Sequence, residues 1–132
     1  MISILIVSKK KDIPDYYVGA IKEYTKRLTR YCNLTMETID SADEIEPLVS
    51  SFHTIRVHTK GQALDSVSFS EQLQNLSTGG HSKIALILNM NYDADQSLSL
   101  STLNLSPELS LVCMLEQIYR AFRIWYGEPY HK

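Results

Sequence analysis

Two cysteines in 132 residues leave no material for a cross-linked scaffold. Cys32 and Cys113 stand far apart, with no C-x-x-C pair and no histidine cluster nearby, which argues against a disulfide framework and against a zinc site. They read as reduced, partly buried small hydrophobes. Long apolar runs are also missing. The first, ISILIV, meets Lys9, Lys10 and Lys11 at once and falls far short of the ~20 residues of a membrane span. It has no basic stretch before it and no small-residue cleavage site after it, so no secretory signal is expected and the expected compartment is the cytoplasm. Net charge is nearly absent at -2, which removes any overall pull toward nucleic acid. No G-x-S-x-G elbow, Walker loop or G-x-G-x-x-G fingerprint occurs, so hydrolase, nucleotidase and dinucleotide readings have no motif behind them. His53, His58, His81 and His131 are dispersed, and the odd separation in HTIRVH puts His53 and His58 on opposite faces of a strand. A metal site is therefore not expected.

What is present is ordinary globular composition, 44% apolar and 21% charged, in a length that fits one domain over residues 1–132. Charge is unevenly placed. Lys9, Lys10, Lys11, Lys22, Lys26, Arg27 and Arg30 make the first thirty residues basic, and Glu37, Asp40, Asp43, Glu44 and Glu46 make the next segment acidic. A basic binding face and a plain solvated helix face both account for that run.

Continuous β-branched residues over 2–7 predict a strand covered on both faces. Pro14 opens a helix running to about residue 31, with Tyr17, Val18, Ile21, Tyr24, Leu28 and Tyr31 on one stripe. Alternation at Leu34, Met36 and Thr38 predicts a second strand with a wetter face. The polar connection after it allows at most one helical turn, broken before Pro47. A third strand is expected over 54–58. Ser66 is placed to cap a helix carrying Phe69, Leu73 and Leu76, which ends at STGG; TGG, following a helix, is a turn and not a phosphate cradle. Residues 84–88 predict a central strand, and Leu98, Leu100, Leu103 and Leu105 a fifth, with a slip at Thr102. Ser106, Pro107 and Glu108 then mark a helix start: a capping hydroxyl, proline at the first helical position, a carboxylate in the first turn. Strands alternating with helices give an α/β domain with a mostly parallel sheet and helices on both faces. The last helix has apolar residues on a wide arc, including Leu111, Leu115, Ile118 and Phe122, which predicts a symmetric dimer through that helix.

The closing stretch LEQIYRAFRIWYGEPYHK resembles the C-terminus of the RlmH family, bacterial methyltransferases of the SPOUT class that act on nitrogen 3 of a pseudouridine in large-subunit ribosomal RNA. AIKEYTKRLTRY is similar to that family's first helix. KGQALDSVSFSEQL is similar to its Gly-Lys-x-x-Ser-Ser segment, with Gly61 and Ser66 on matching positions. The resemblance implies a trefoil-knotted α/β fold, S-adenosylmethionine held in the knot, and a homodimer whose tail completes an active site on ribosomal RNA. It implies cofactor contacts at Val57, Asn89, Leu100, Ser101, Thr102, Leu103, Asn104 and Leu105, and catalytic roles at Tyr130 and His131. Arg123, Tyr130, His131 and Lys132 are implied at the RNA, where cations favour phosphate and an aromatic ring stacks on a base.

Departures from the family pattern are local. Its Gly-Gly-x-x-Gly loop is replaced by NMNYDAD, with Asn89, Met90 and Asp93 on the glycine positions. Asn and Asp reach the left-handed conformation at modest cost, whereas Met90 does not. Ser106-Pro107 and Leu111 replace a Pro-His pair and an arginine, and the acidic connection after Asp40 is short. Two readings stand at this point: an active methyltransferase with a remodelled cofactor loop, or a silent dimeric relative that binds RNA or a protein.

Overall fold

The computed structural model describes residues 1–129. Its strands are β1 (Ser3–Lys9), β2 (Asn33–Ile39), β3 (His53–Val57), β4 (Lys83–Leu88) and β5 (Gln96–Leu98), and its helices are α1 (Asp15–Leu28), α2 (Ile45–Val49), α3 (Ser66–Thr78) and α4 (Pro107–Trp125). All strand pairings are parallel, in the order β2-β1-β4-β3-β5. This is the α/β sheet expected from the sequence.

The two central strands read as unbroken apolar runs because both faces are covered. Ile4 and Ile6 of β1, with Ile84, Leu86 and Leu88 of β4, join the larger core under α1, α3 and α4, while Leu5, Val7, Ala85 and Ile87 face a smaller core with α2. β2 lies at the edge and buries only Ile39.

The arc of α4 is accounted for within the chain. Leu115, Ile118 and Phe122 are fully buried and Leu111 is 7% exposed before any partner is added. The sheet, α1 and α3 cover that arc, each buried side chain contributing ~1.5–3 kcal/mol, so its width does not by itself call for a second subunit.

Three local expectations are corrected. The fifth strand ends at Leu98, because Ser99 Oγ donates to the Ser101 carbonyl (3.0 Å) and the Leu103 amide donates to Ser101 Oγ (3.0 Å), turning the chain out of the sheet. α3 is capped by Asp65, whose carboxylate accepts from the Ser68 amide at 2.7 Å. Ser66 instead donates to Gln117 on α4 (2.8 Å) and ties the two helices together. After Asp40 a 3-10 turn at Ala42–Glu44 leads into α2, which runs through Pro47. Proline is tolerated there because it lies in the first turn, where amides have no intrahelical acceptor.

The loops after β3 and before α4 cross in close contact. His58 donates its amide to Leu98 O (3.0 Å), Ser99 donates to Gln62 O (2.9 Å), and Ala63 bridges Ser99. Gly61 sits against the Leu98 backbone at the crossing, where a Cβ would fall 2.5 Å from the carbonyl oxygen. A bare backbone is required by close approach.

Candidate active site

β3 and β4 deliver Val57 and Asn89 to their C-terminal ends, the edge where open parallel sheets hold ligands. The segment 99–105 passes over those ends and feeds α4. Together they form a narrow, half-open cleft lined by Val57, Asn89, Leu100, Ser101, Leu103 and Leu105, with His58, Thr59 and Ser110. Six of the eight positions named for the cofactor therefore meet in one place. Thr102 and Asn104 are exposed and do not line it.

Because β5 stops at Leu98, residues 100–105 lie beyond the sheet ladder, and among the described residues their main-chain groups have no main-chain partners. Apart from the Ser101 carbonyl and the Leu103 amide, which bond Ser99 Oγ and Ser101 Oγ, those amides and carbonyls are available to a ligand. His58, Thr59 and Ser110 were not anticipated. Ser110 lies one turn after the cap at Ser106, a spacing that could have pointed to it. The sequence presents His58 only as a metal-ligand type. Its imidazole pKa is lowered by burial, and further by the Arg56 and Lys60 cations, which favours the neutral ring beside the cleft.

Most residues of the loop that replaces the glycines are hydrogen-bonded or packed. Asn89 takes φ 55°, the only positive φ at a non-glycine residue among those described, and its amide donates to Val57 O (2.9 Å). Met90 needs no such conformation. Its side chain is 8% exposed and packs in the smaller core. Asn91 accepts from Arg56 Nη2 (2.9 Å), Tyr92 donates to Glu46 of α2, and Asp95 accepts from the Thr54 amide (2.9 Å). The Glu46 carboxylate pushes the Tyr92 hydroxyl up to about 12, with burial adding to it. The loop is pinned to α2 and β3.

The histidines are not all dispersed: His53 meets Gln96 (3.0 Å) and lies against His81, the rings tilted with centroids 4.9 Å apart, while His58 is apart from them and lines the cleft. Among the described residues no group of three or more His, Cys, Asp or Glu is placed to share a cation. Cys32 is buried and free, and burial raises its thiol to about 12; Cys113 is half-buried and free.

At the far end of α4 the chain turns through a Schellman motif: Glu128 donates its amide to Arg123 O (2.8 Å) and Gly127, at φ 66°, donates to Ile124 O (3.1 Å). Arg123 is engaged by the tail itself, its Nε and Nη2 donating to Pro129 O (3.1 and 2.6 Å) and its Nη1 to Glu128 (2.9 Å). Tyr130, His131 and Lys132, named for catalysis and RNA contact, lie outside the described residues.

A parallel sheet of this order, with two loops crossing over its C-terminal edge and a cleft at the mouth of the last helix, defines a SPOUT-type α/β domain. A family profile described as "Predicted SPOUT methyltransferase" matches residues 1–131. The chain is 30% identical over 122 residues to the ribosomal RNA large subunit methyltransferase H 1 of Thermoanaerobacter sp. (strain X514), covering 91% of this chain and 92% of that protein. It is 33% identical over 159 positions to the ribosomal RNA large subunit methyltransferase H 1 of Clostridium perfringens (strain SM101 / Type A), covering 99% of each. The methyltransferase H of Clostridium kluyveri (strain NBRC 12016) is similar to the same extent, 33% over 159 positions. The chain belongs to the SPOUT methyltransferases, in the RlmH family.

Proposed function

We propose that this protein transfers a methyl group from S-adenosylmethionine to a pseudouridine of large-subunit ribosomal RNA. The observation that carries the reading is the convergence of Val57, Asn89, Leu100, Ser101, Leu103 and Leu105 on one cleft at the strand ends. The donor set suits the cofactor: aliphatic walls from Val57, Leu100, Leu103 and Leu105 for a purine and a thioether, and main-chain groups of 100–105 for the purine's polar edge. Leu103, 74% exposed, stands at the outer lip, where a bound ring would cover it. When bound, the cofactor supplies an electrophilic methyl group. The protein's share is then orientation of the acceptor and help with loss of its proton. The ordered loop at 89–95 favours this reading over a silent relative, because it keeps the left-handed turn beside the cleft without strain at Met90.

The tail supports a homodimeric site. Ser110 lines the cleft and Arg123 holds Pro129, and the thirteen helical steps from one to the other span about 20 Å along α4. Three residues beyond Pro129 reach at most ~11 Å. A two-fold arrangement, in which Tyr130, His131 and Lys132 serve the cleft of a second copy, satisfies both sites at once. No helix among the described residues is long and apolar enough to cross a membrane.

The test is methyl transfer from labelled S-adenosylmethionine to ribosomal particles lacking the modification, followed by mass analysis of the RNA. One methyl at a pseudouridine is the expected result. No transfer, together with no heat of binding at millimolar cofactor, would leave the silent relative.

A further inference from the structure

The cleft at the strand ends is walled by side chains that keep one charge state, with a single exception. Its surface is aliphatic at Val57 and the three leucines and neutral polar at the serines, Thr59 and Asn89. His58 is the one lining side chain among the described residues that changes charge near neutral pH. Its backbone is fixed on both sides: the amide donates to Leu98 O (3.0 Å), and the carbonyl accepts from the Gly61 amide (3.1 Å). The ring is half-buried and makes no hydrogen bond to any described residue, so the fold does not use it.

Two cations bear on the ring, Arg56 from β3 and Lys60 from the loop that follows. Arg56 is held in place by Asn91 (2.9 Å). Neither the segment 99–105, the turn at Asn89 nor Ser110 of α4 presents an ionisable group to the cleft, so no described carboxylate offsets the two cations there. Burial first, and then these charges, lower the imidazole pKa; the ring is neutral at pH 7 and charges only as pH falls below the ordinary histidine range. Once charged, it stands in a partly desolvated cleft, where like charges repel more strongly than in water. S-adenosylmethionine brings a permanent positive charge on its sulfur. The product of transfer, S-adenosylhomocysteine, has an uncharged thioether in its place.

We propose that His58 is a charge gate for the cofactor: the neutral imidazole admits the sulfonium to the cleft, whereas the imidazolium excludes it and leaves the cleft open to the uncharged product. The inference rests on the cofactor reading given under the proposed function, and adds the side chain that makes binding depend on pH. Protonation of His58 and binding of the sulfonium oppose each other by the same factor. Acidification therefore shifts the preference of the cleft from cofactor to product.

Calorimetric titration of the full chain with each ligand, across roughly pH 5 to 7, tests the gate, with melting temperatures at each pH to confirm that the fold persists. S-adenosylmethionine is expected to bind about tenfold more weakly at the acid end, and S-adenosylhomocysteine to change by less than about twofold. In His58→Asn both affinities should be flat across the range. Near the middle of it, S-adenosylmethionine binding should release a fraction of a proton from wild type and none from the variant, read as a dependence of the heat on the buffer. Equal pH dependence of the two ligands in wild type, or a difference that persists in His58→Asn, overturns the gate and leaves the cofactor reading in place. Tighter S-adenosylmethionine binding in acid also overturns it, since the ring would then face the cofactor's carboxylate. Absence of binding by either ligand at neutral pH overturns the cofactor reading and the gate with it. The two-ligand comparison in wild type decides the matter even where the variant does not fold.

Discussion

Gly61 lies so close to Leu98 that the two backbones exclude any side chain between them: a Cβ on Gly61 would stand 2.5 Å from Leu98 O and 2.7 Å from Leu98 N. The contact fastens the loop after β3 to the end of β5, and so sets the height at which residues 99–105 pass over the cleft.

Gly61→Ala is therefore expected to destabilise the fold by more than about 2 kcal/mol, because the obstacle is main chain and cannot rotate away. It should also weaken cofactor binding, since the 99–105 segment must shift. Urea unfolding and calorimetric titration measure the two effects; an unchanged midpoint would show that the crossing has room to relax.

Asn89 and Met90 should respond in opposite ways to restored glycine. Asn89→Gly removes the modest penalty of φ 55° and is expected to leave stability and cofactor affinity equal or slightly better. Met90→Gly empties a place in the smaller core beside Val7, Ile45 and Ile87, and should cost about 3 kcal/mol. A loss of cofactor affinity in Asn89→Gly at unchanged stability would reveal a contact made by the Asn89 carboxamide.

This loop shows where a sequence stops being legible. β1 and β4 could be read from composition, since burial on both faces writes an unbroken apolar run. The start of α4 was equally plain at Ser106-Pro107-Glu108. Met90 was not. It stood out as unsuited to a glycine position, but only the packed structure shows that α2 is short and leaves part of one sheet face for Met90 and Tyr92 to cover. The fifth strand was overrun for a related reason. Its leucines alternate well enough, and what ends it is a competition for main-chain hydrogen bonds by Ser99 and Ser101 that periodicity does not record. The cleft positions came from resemblance, and those missed, His58 and Ser110, are brought to it by chain folding across more than fifty residues.

Asp95 closes the lower end of the loop, accepting from the Thr54 amide and hydroxyl (2.9 and 3.1 Å) while its own amide donates back to Thr54 Oγ1 (2.9 Å). Its pKa is lowered first by the Thr54 amide, with the Thr54 hydroxyl and the nearby His53 and His81 adding to it. A depressed carboxylate contributes stability above its unfolded value, about 3.9, and loses it as pH falls through the lower folded value. Asp95→Asn is expected to be less stable at neutral pH and to show a shallower decline below about pH 4 than wild type. Melting temperatures between pH 3 and 7 decide it, and parallel curves would mean that the carboxylate's charge is irrelevant to the latch.

Deleting Tyr130, His131 and Lys132 should separate folding from function. The described anchors of the tail, Glu128 and Pro129, remain, and so do all the described core residues of α4. The melting temperature and the dimer are therefore expected to change little. Methyl transfer to ribosomal particles should be abolished, and RNA binding should weaken with a smaller dependence on salt, since Lys132 is a phosphate-seeking cation. His131→Ala alone is the sharper variant, because an imidazole can hold or release a proton near neutral pH. If the deletion instead lowers the melting temperature by several degrees while transfer persists, the tail is packing and the chemistry belongs to the residues around the cleft.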